Sequence, residues 1–207
     1  MSSLSNYQQE LQTELQNVFT YWTKFTPDNH QGGFLGKIDN DNTADYSAPK
    51  GSVLNARILW SFSAAYNLEA QTEYLQIAER AYEYIKRYFI DKEHGGVYWT
   101  VTHEGEPLDT KKQVYAIAFT IYALSEYFIS SKNDEAKVLA IQLYQQLEEK
   151  AFDQEKSGYF EAFTQSWEEI QDLRLSEKDA NEKKTMNTHL HVLEAYTTLY
   201  RIWAEEG

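Results

Sequence analysis

EHGGVYWTVT, residues 93–102, sets two glycines ahead of a run of aromatic and β-branched residues. Adjacent glycines admit positive φ and a tight turn. The residues after them suit a short strand or one arm of a hairpin. The stretch has two counterparts, HQGGFLGKID at 30–39 and EKSGYFEAFT at 155–164. The aligned glycines, Gly33, Gly96 and Gly158, lie 63 and 62 residues apart. A period of that size points to a repeated supersecondary unit.

Between the turns, apolar residues recur at helical spacing. Tyr7, Leu11, Leu15, Val18, Phe19 and Trp22 mark a first helix, and Leu54, Ile58, Phe62 and Ala65 a second. Leu75 to Phe89, Val114 to Phe128, Ala136 to Leu147 and Leu190 to Tyr200 mark four more. Six helices and three glycine turns predict an all-α fold of three helical hairpins, with short β-hairpins in the long loops. The second and third helices are joined by a short turn around residues 69–72, and the fourth and fifth by SSKND. The links before helices two, four and six are far longer than the usual ~4–6 residues, and each holds one glycine turn. All the long loops therefore fall at the end where those three helices begin, which is where function is expected.

The same helix starts carry polar side chains. Helix two opens GSVLNARILW with Asn55 and Arg57, helix four opens KKQVYAIAF with Gln113 and Tyr115, and helix six opens TMNTHLHVLEAY with Asn187 and His191. Helix N-termini add unpaired N–H groups and partial positive charge, which favour a bound or developing anion. Each residue also has a plainer reading. Arg57 could pair with Asp39 or Asp45, Tyr115 could be an ordinary core residue, and Asn187 a helix cap. His191 lies four residues after Asn187 and shares its face, whereas His189 points nearly opposite. One histidine is thus expected at a pocket and the other in the packing between helices.

Composition narrows the function. The chain has 207 residues, 42% of them hydrophobic, with 16 Tyr, 10 Phe and 5 Trp. That suits one domain with a sizeable core, and aromatic faces also suit sugar rings. A net charge of −13 argues against nucleic acid and anionic membrane, because no basic patch is present to release counterions. There is no cysteine, no HExxH or other metal-ligand spacing, and no phosphate-binding glycine loop. The N-terminal MSSLSNYQQELQTEL lacks the apolar core of a signal peptide, and the chain reads as cytoplasmic.

LNARILWSFSAAY (54–66) and MNTHLHVLEAYTTLYRIW (186–203), with the GGF and GGVYW turns and KKQVYAIAF, resemble the cellobiose 2-epimerases of the N-acylglucosamine 2-epimerase superfamily. The likeness runs in order along the whole chain. It implies helical hairpins of an (α/α)6 barrel, of which residues 1–207 form one domain of about three hairpins, an N-terminal half. The resemblance also implies conversion of the reducing-end glucose of cellobiose- or lactose-type disaccharides to mannose. Ring opening and a cis-enediolate would carry that reaction, with no added cofactor and no metal. Arg57 matches the family residue that stabilises the oxyanion. His191 matches a site histidine near the reacting carbons, and Tyr115 and Asn187 match residues that hydrogen-bond the sugar. A fixed guanidinium and an imidazole suit those roles. The resemblance places the family's two principal acid/base histidines in its C-terminal half, beyond Gly207, with no counterpart here. A homodimer or a complementary C-terminal half would complete the barrel. The alternatives are an aldose–ketose isomerase using the same enediol, and a non-catalytic sugar-binding or scaffold half-barrel. A glycoside hydrolase is the weakest, since no carboxylate pair is singled out.

Overall fold

The computed structural model describes residues 3–204. Six α-helices run α1 (Ser3–Phe25), α2 (Ser52–Glu69), α3 (Thr72–Tyr84), α4 (Val114–Ser131), α5 (Asp134–Lys150) and α6 (Met186–Tyr200). Helices α2, α4 and α6 stand side by side as an inner wall, and α3 and α5 back α2 and α4 from outside. This is half of an (α/α)6 barrel. The predicted helices are all present, with one difference. The third ends at Tyr84 and continues as a π-helical turn over Ile85–Phe89.

Helix α4 is the middle of the wall and is apolar on nearly every side, because neighbours surround it. It is long and apolar enough to cross a membrane, but most of it is buried in the core. The antiparallel turns are tight: Ala70 and Lys132 adopt left-handed φ of 55° and 59° and donate their N–H groups back to Tyr66 and Phe128. Asn133 then caps α5 by accepting from the N–H groups of Glu135 and Ala136.

The three glycine turns are near copies. Each is a small hairpin closed by one bridge, Pro27–Phe34, Ile90–Val97 or Phe152–Tyr159. Gly33 has φ +61°, and a Cβ there would lie 2.5 Å from the Tyr84 ring, so only glycine fits. An aspartate opens each turn. One oxygen of Asp28 accepts from the N–H groups of His30 and Gln31, that of Asp91 from Glu93 and His94, and that of Asp153 from Glu155 and Lys156. The other oxygen takes an ammonium: Lys50 at 2.7 Å, Lys112 at 2.6 Å and Lys184 at 2.5 Å. Each lysine stands two residues before an inner helix and lies over an aromatic ring, of Tyr84, Tyr98 and Phe160 respectively. A turn is thereby fastened to the helix start that follows it. The first two pairs are fully buried, and the third is partly exposed.

Short strands lace consecutive units together. Strand β1 (Lys37–Ile38) pairs with β2 (Ala44–Asp45) within unit one. Strand β3 (Lys50–Gly51), which carries the lysine of unit one, pairs with β4 (Thr100–Val101) of unit two, and β4 pairs with its return strand β5 (Pro107–Asp109). Strand β6 (Lys112–Gln113) repeats the move onto β7 (Ala162–Phe163) of unit three. The registers correspond: Lys50 faces Val101 and Lys112 faces Phe163. In both, the next residue's N–H bonds the carbonyl before the facing pair, Ser52 to Trp99 and Val114 to Glu161.

Candidate active site

The inner wall brings Arg57, Tyr115 and His191 together. Arg57 donates from Nη2 to the Tyr115 hydroxyl at 3.0 Å, and its guanidinium lies over the Phe119 ring, 4.6 Å from the centroid. The His191 ring meets Tyr115 edge-on at 4.8 Å and Phe119 at 4.3 Å. Phe119 is thus the shared floor for a cation on one side and an imidazole on the other. It stands 62 residues after Arg57, the same step that separates the glycine turns. Among the described residues Arg57 has no carboxylate partner. Asp39 pairs with Lys37 and Asp45 with Ser47, so the structural ion pair considered for Arg57 is not made. Its charge is free to meet an anion. Asn187 lies one turn before His191 on the same helix face, is exposed, and makes no side-chain hydrogen bond among the described residues.

The two histidines of α6 differ in what their nitrogens do. His189 accepts the Tyr159 N–H at Nε2, 2.9 Å, so its proton is on Nδ1, which donates to the Thr185 carbonyl at 2.7 Å. Both nitrogens are occupied in fastening the third glycine turn to α6. Gly158 is required there, since a Cβ would sit 2.6 Å from that ring nitrogen. His191 also donates from Nδ1, to Glu194 Oε2 at 2.7 Å, but its Nε2 has no partner among the described residues. A carboxylate at Nδ1 fixes the tautomer and leaves the Nε2 lone pair able to take a proton. His189→Ala is therefore expected to lower stability by about 1–3 kcal/mol, because the partly buried Tyr159 N–H loses its acceptor. His191→Ala loses ring contacts but leaves no backbone N–H without its acceptor, and should cost less. Equal destabilisation by both would contradict the division.

One helical turn further along, Trp60 stacks on Tyr122 at 5.1 Å, with Glu194 on α6 beside them. At the far end of the wall, Asn67 donates to Glu126 at 2.6 Å, and Arg201 approaches the other Glu126 oxygen at 3.7 Å. The inner face is thus polar at both ends and aromatic between. The described residues contain no group of three His, Asp or Glu side chains placed to hold a metal.

A profile of the N-acylglucosamine 2-epimerase (GlcNAc 2-epimerase) family matches residues 33–206. The chain is 52% identical over 198 residues to a cellobiose 2-epimerase of Bacteroides fragilis, covering 95% of this chain and 50% of that protein. The solved cellobiose 2-epimerase of Bacillus thermoamylovorans superposes with a TM-score of 0.88 at 42% identity, over 94% of this chain and 51% of that one. The enzyme of Spirochaeta thermophila gives 0.88 at 36% identity, over 99% and 52%. The chain spans about half the length of the curated relatives it matches.

Proposed function

Because the chain belongs to the N-acylglucosamine 2-epimerase family, we propose that it is the N-terminal wall of a sugar 2-epimerase acting on cellobiose- or lactose-type disaccharides. The observation that carries the reading is the contact cluster of a carboxylate-free Arg57 and a His191 with one nitrogen held and one open. Loss of the proton at C2 of a ring-opened aldose develops negative charge on the carbonyl oxygen. A guanidinium held on Phe119 and Tyr115 meets that charge without moving. His191 Nε2 takes or returns the proton, and Glu194 holds the imidazolium. Tyr115 and Asn187 hydrogen-bond the sugar hydroxyls, and the Trp60–Tyr122 stack offers an apolar face to the ring.

Inversion at C2 needs proton transfer on both faces of the enediolate. This wall presents its titratable groups from one side, so the reading assigns turnover to a closed barrel. The experiment is incubation of the purified, folded chain in its assembled form with cellobiose in heavy water. Glucosyl-mannose carrying deuterium at C2 is the expected product. Fructose at the reducing end instead would make it an aldose–ketose isomerase. Sugar binding without either product or deuterium uptake would leave a binding module and end the claim of catalysis.

A further inference from the structure

Glu161 is buried, 2% exposed, and takes no part in the contacts among Arg57, Tyr115 and His191. It stands third after Gly158, where units one and two have Gly36 and Trp99. A Cβ at Gly36 would collide with the Pro49 carbonyl, and the Trp99 ring is half-buried beside the Lys111 ammonium. The third unit alone puts a charge at this place.

The hydrogen bonds of Glu161 reach the starts of both neighbouring inner helices. Its carbonyl accepts from the N–H of Val114, the first residue of α4, at 2.9 Å, and its own N–H donates to the Lys183 carbonyl at 3.0 Å. One carboxylate oxygen accepts the N–H of Thr185, the N-cap of α6, at 2.6 Å. The other accepts the hydroxyl of the fully buried Thr188, also at 2.6 Å.

Capping alone does not account for this. Thr185 already caps α6, its hydroxyl accepting from the Thr188 N–H. Helices α2 and α4 begin at Gly51 and Gln113 with no side-chain cap among the described residues. A buried carboxylate is costly unless it is fully hydrogen-bonded, and here both oxygens take short bonds at the positive end of a helix. What the carboxylate adds is a rigid tie between two helices. Arg57, Phe119 and His191 each stand seven residues after the lock lysine of their unit, Lys50, Lys112 and Lys184. They form one level of the wall, about 10 Å from the helix starts at a rise of ~1.5 Å per residue. Tilting α6 by about 6° at its start moves His191 by about 1 Å against Tyr115, and a displacement of that size can cost ~10² in rate.

The geometry points to Glu161 as a positioning residue: its carbonyl and carboxylate tie the start of α4 to the start of α6 and so hold His191 against Tyr115 and Phe119. Its part in turnover rests on the sugar reading above. The register of the helices does not, and the two are measured separately.

Ring currents of Phe119 and Tyr115 displace the ring-proton resonances of His191, which are identified among the five histidines by their loss in His191→Gln. In Glu161→Ala those resonances should move toward unstacked values while the circular dichroism spectrum stays helical. Glu161→Gln should keep them, because its amide oxygen still accepts from Thr185 and its amide N–H donates to the Thr188 hydroxyl. Thr188→Val removes one of the two carboxylate bonds at nearly constant shape and should move them the same way by less. That variant decides the question should Glu161→Ala fail to fold. In the active assembly, Glu161→Ala should lower kcat by roughly 10²-fold with KM near wild type, and Glu161→Gln should recover most of the loss. His191 resonances at their wild-type positions in folded Glu161→Ala, or in Thr188→Val, overturn the proposal. So does a Glu161→Gln as impaired as Glu161→Ala, which would assign the effect to charge. A wild type that takes up no deuterium from heavy water ends the sugar reading, and the resonances still decide the register.

Discussion

Lys112→Met is expected to destabilise the chain by about 3–5 kcal/mol, a large part of the ~5–15 kcal/mol that holds a domain folded. The ammonium it removes is fully buried against Asp91, also fully buried. The carboxylate would be left with the N–H groups of Glu93 and His94 and the Gln165 amide at 3.2 Å, but no counter-charge. Burial pushes the Lys112 ammonium down, and Asp91 offsets this only in part. The net worth of the pair is therefore well below its bare attraction, while breaking it strands a charge. Asp91→Asn combined with Lys112→Met should accordingly be more stable than Lys112→Met alone, since the amide oxygen still accepts the turn N–H groups. Urea midpoints of the three variants check this, and a double variant no better than Lys112→Met would refute it.

The same pair shapes the acid limb. Burial alone would raise the Asp91 carboxyl, but the Lys112 ammonium and the N–H groups of His94 and Glu93 outweigh it and hold the group at about 2. Asp153, held by Lys184 and two N–H groups, is also at about 2. Unfolded aspartate titrates near ~3.9. A carboxyl depressed in the folded state adds stability that is full above that value and is lost as pH falls toward 2. Wild type should therefore lose stability between about pH 4 and pH 2. Lys112→Met should lose less over that window, because protonating an unpaired carboxylate relieves a strain instead of breaking a contact.

Arg57→Ala, made in the active assembly, should slow C2 deuterium uptake by roughly 10²–10³, with a much smaller change in sugar affinity by calorimetry. The guanidinium answers charge that exists only while the proton is leaving, so ground-state binding barely registers its loss. Arg57→Lys should not restore the rate. The flat fork rests on Phe119 while one arm holds the Tyr115 hydroxyl, and a point charge on a flexible stem can do only one of these. Near-wild-type turnover in Arg57→Ala would make the residue a packing element.

The glycine period and the helical periodicities made the fold legible, because both report backbone demands that few other residues satisfy. The meeting of Arg57, Tyr115 and His191 was legible because helix faces fix which side chains can converge from neighbouring inner helices. The aspartate–lysine locks were not. Lys50, Lys112 and Lys184 sit in polar loop sequence, where a lysine reads as solvated, and only the tertiary fold buries two of them. Phe119 is hidden in an apolar helix where any position reads as core, though its 62-residue step from Arg57 could have singled it out. Glu194 reads as surface until the ring three residues earlier is seen to turn toward it.

The locks also set an order in time. They join residues 22, 21 and 31 apart along the chain. Closing loops so short carries little entropic penalty, and the penalty grows only slowly with length. Lys50 lies close enough along the chain to reach Asp28 without any residue of the second glycine turn. Arg80 follows, donating to the carbonyls of Gly33 and Asp28 and sealing unit one from outside. The wall can therefore assemble unit by unit as it leaves the exit tunnel, with each new lysine strand waiting as an open edge for the hairpin made next.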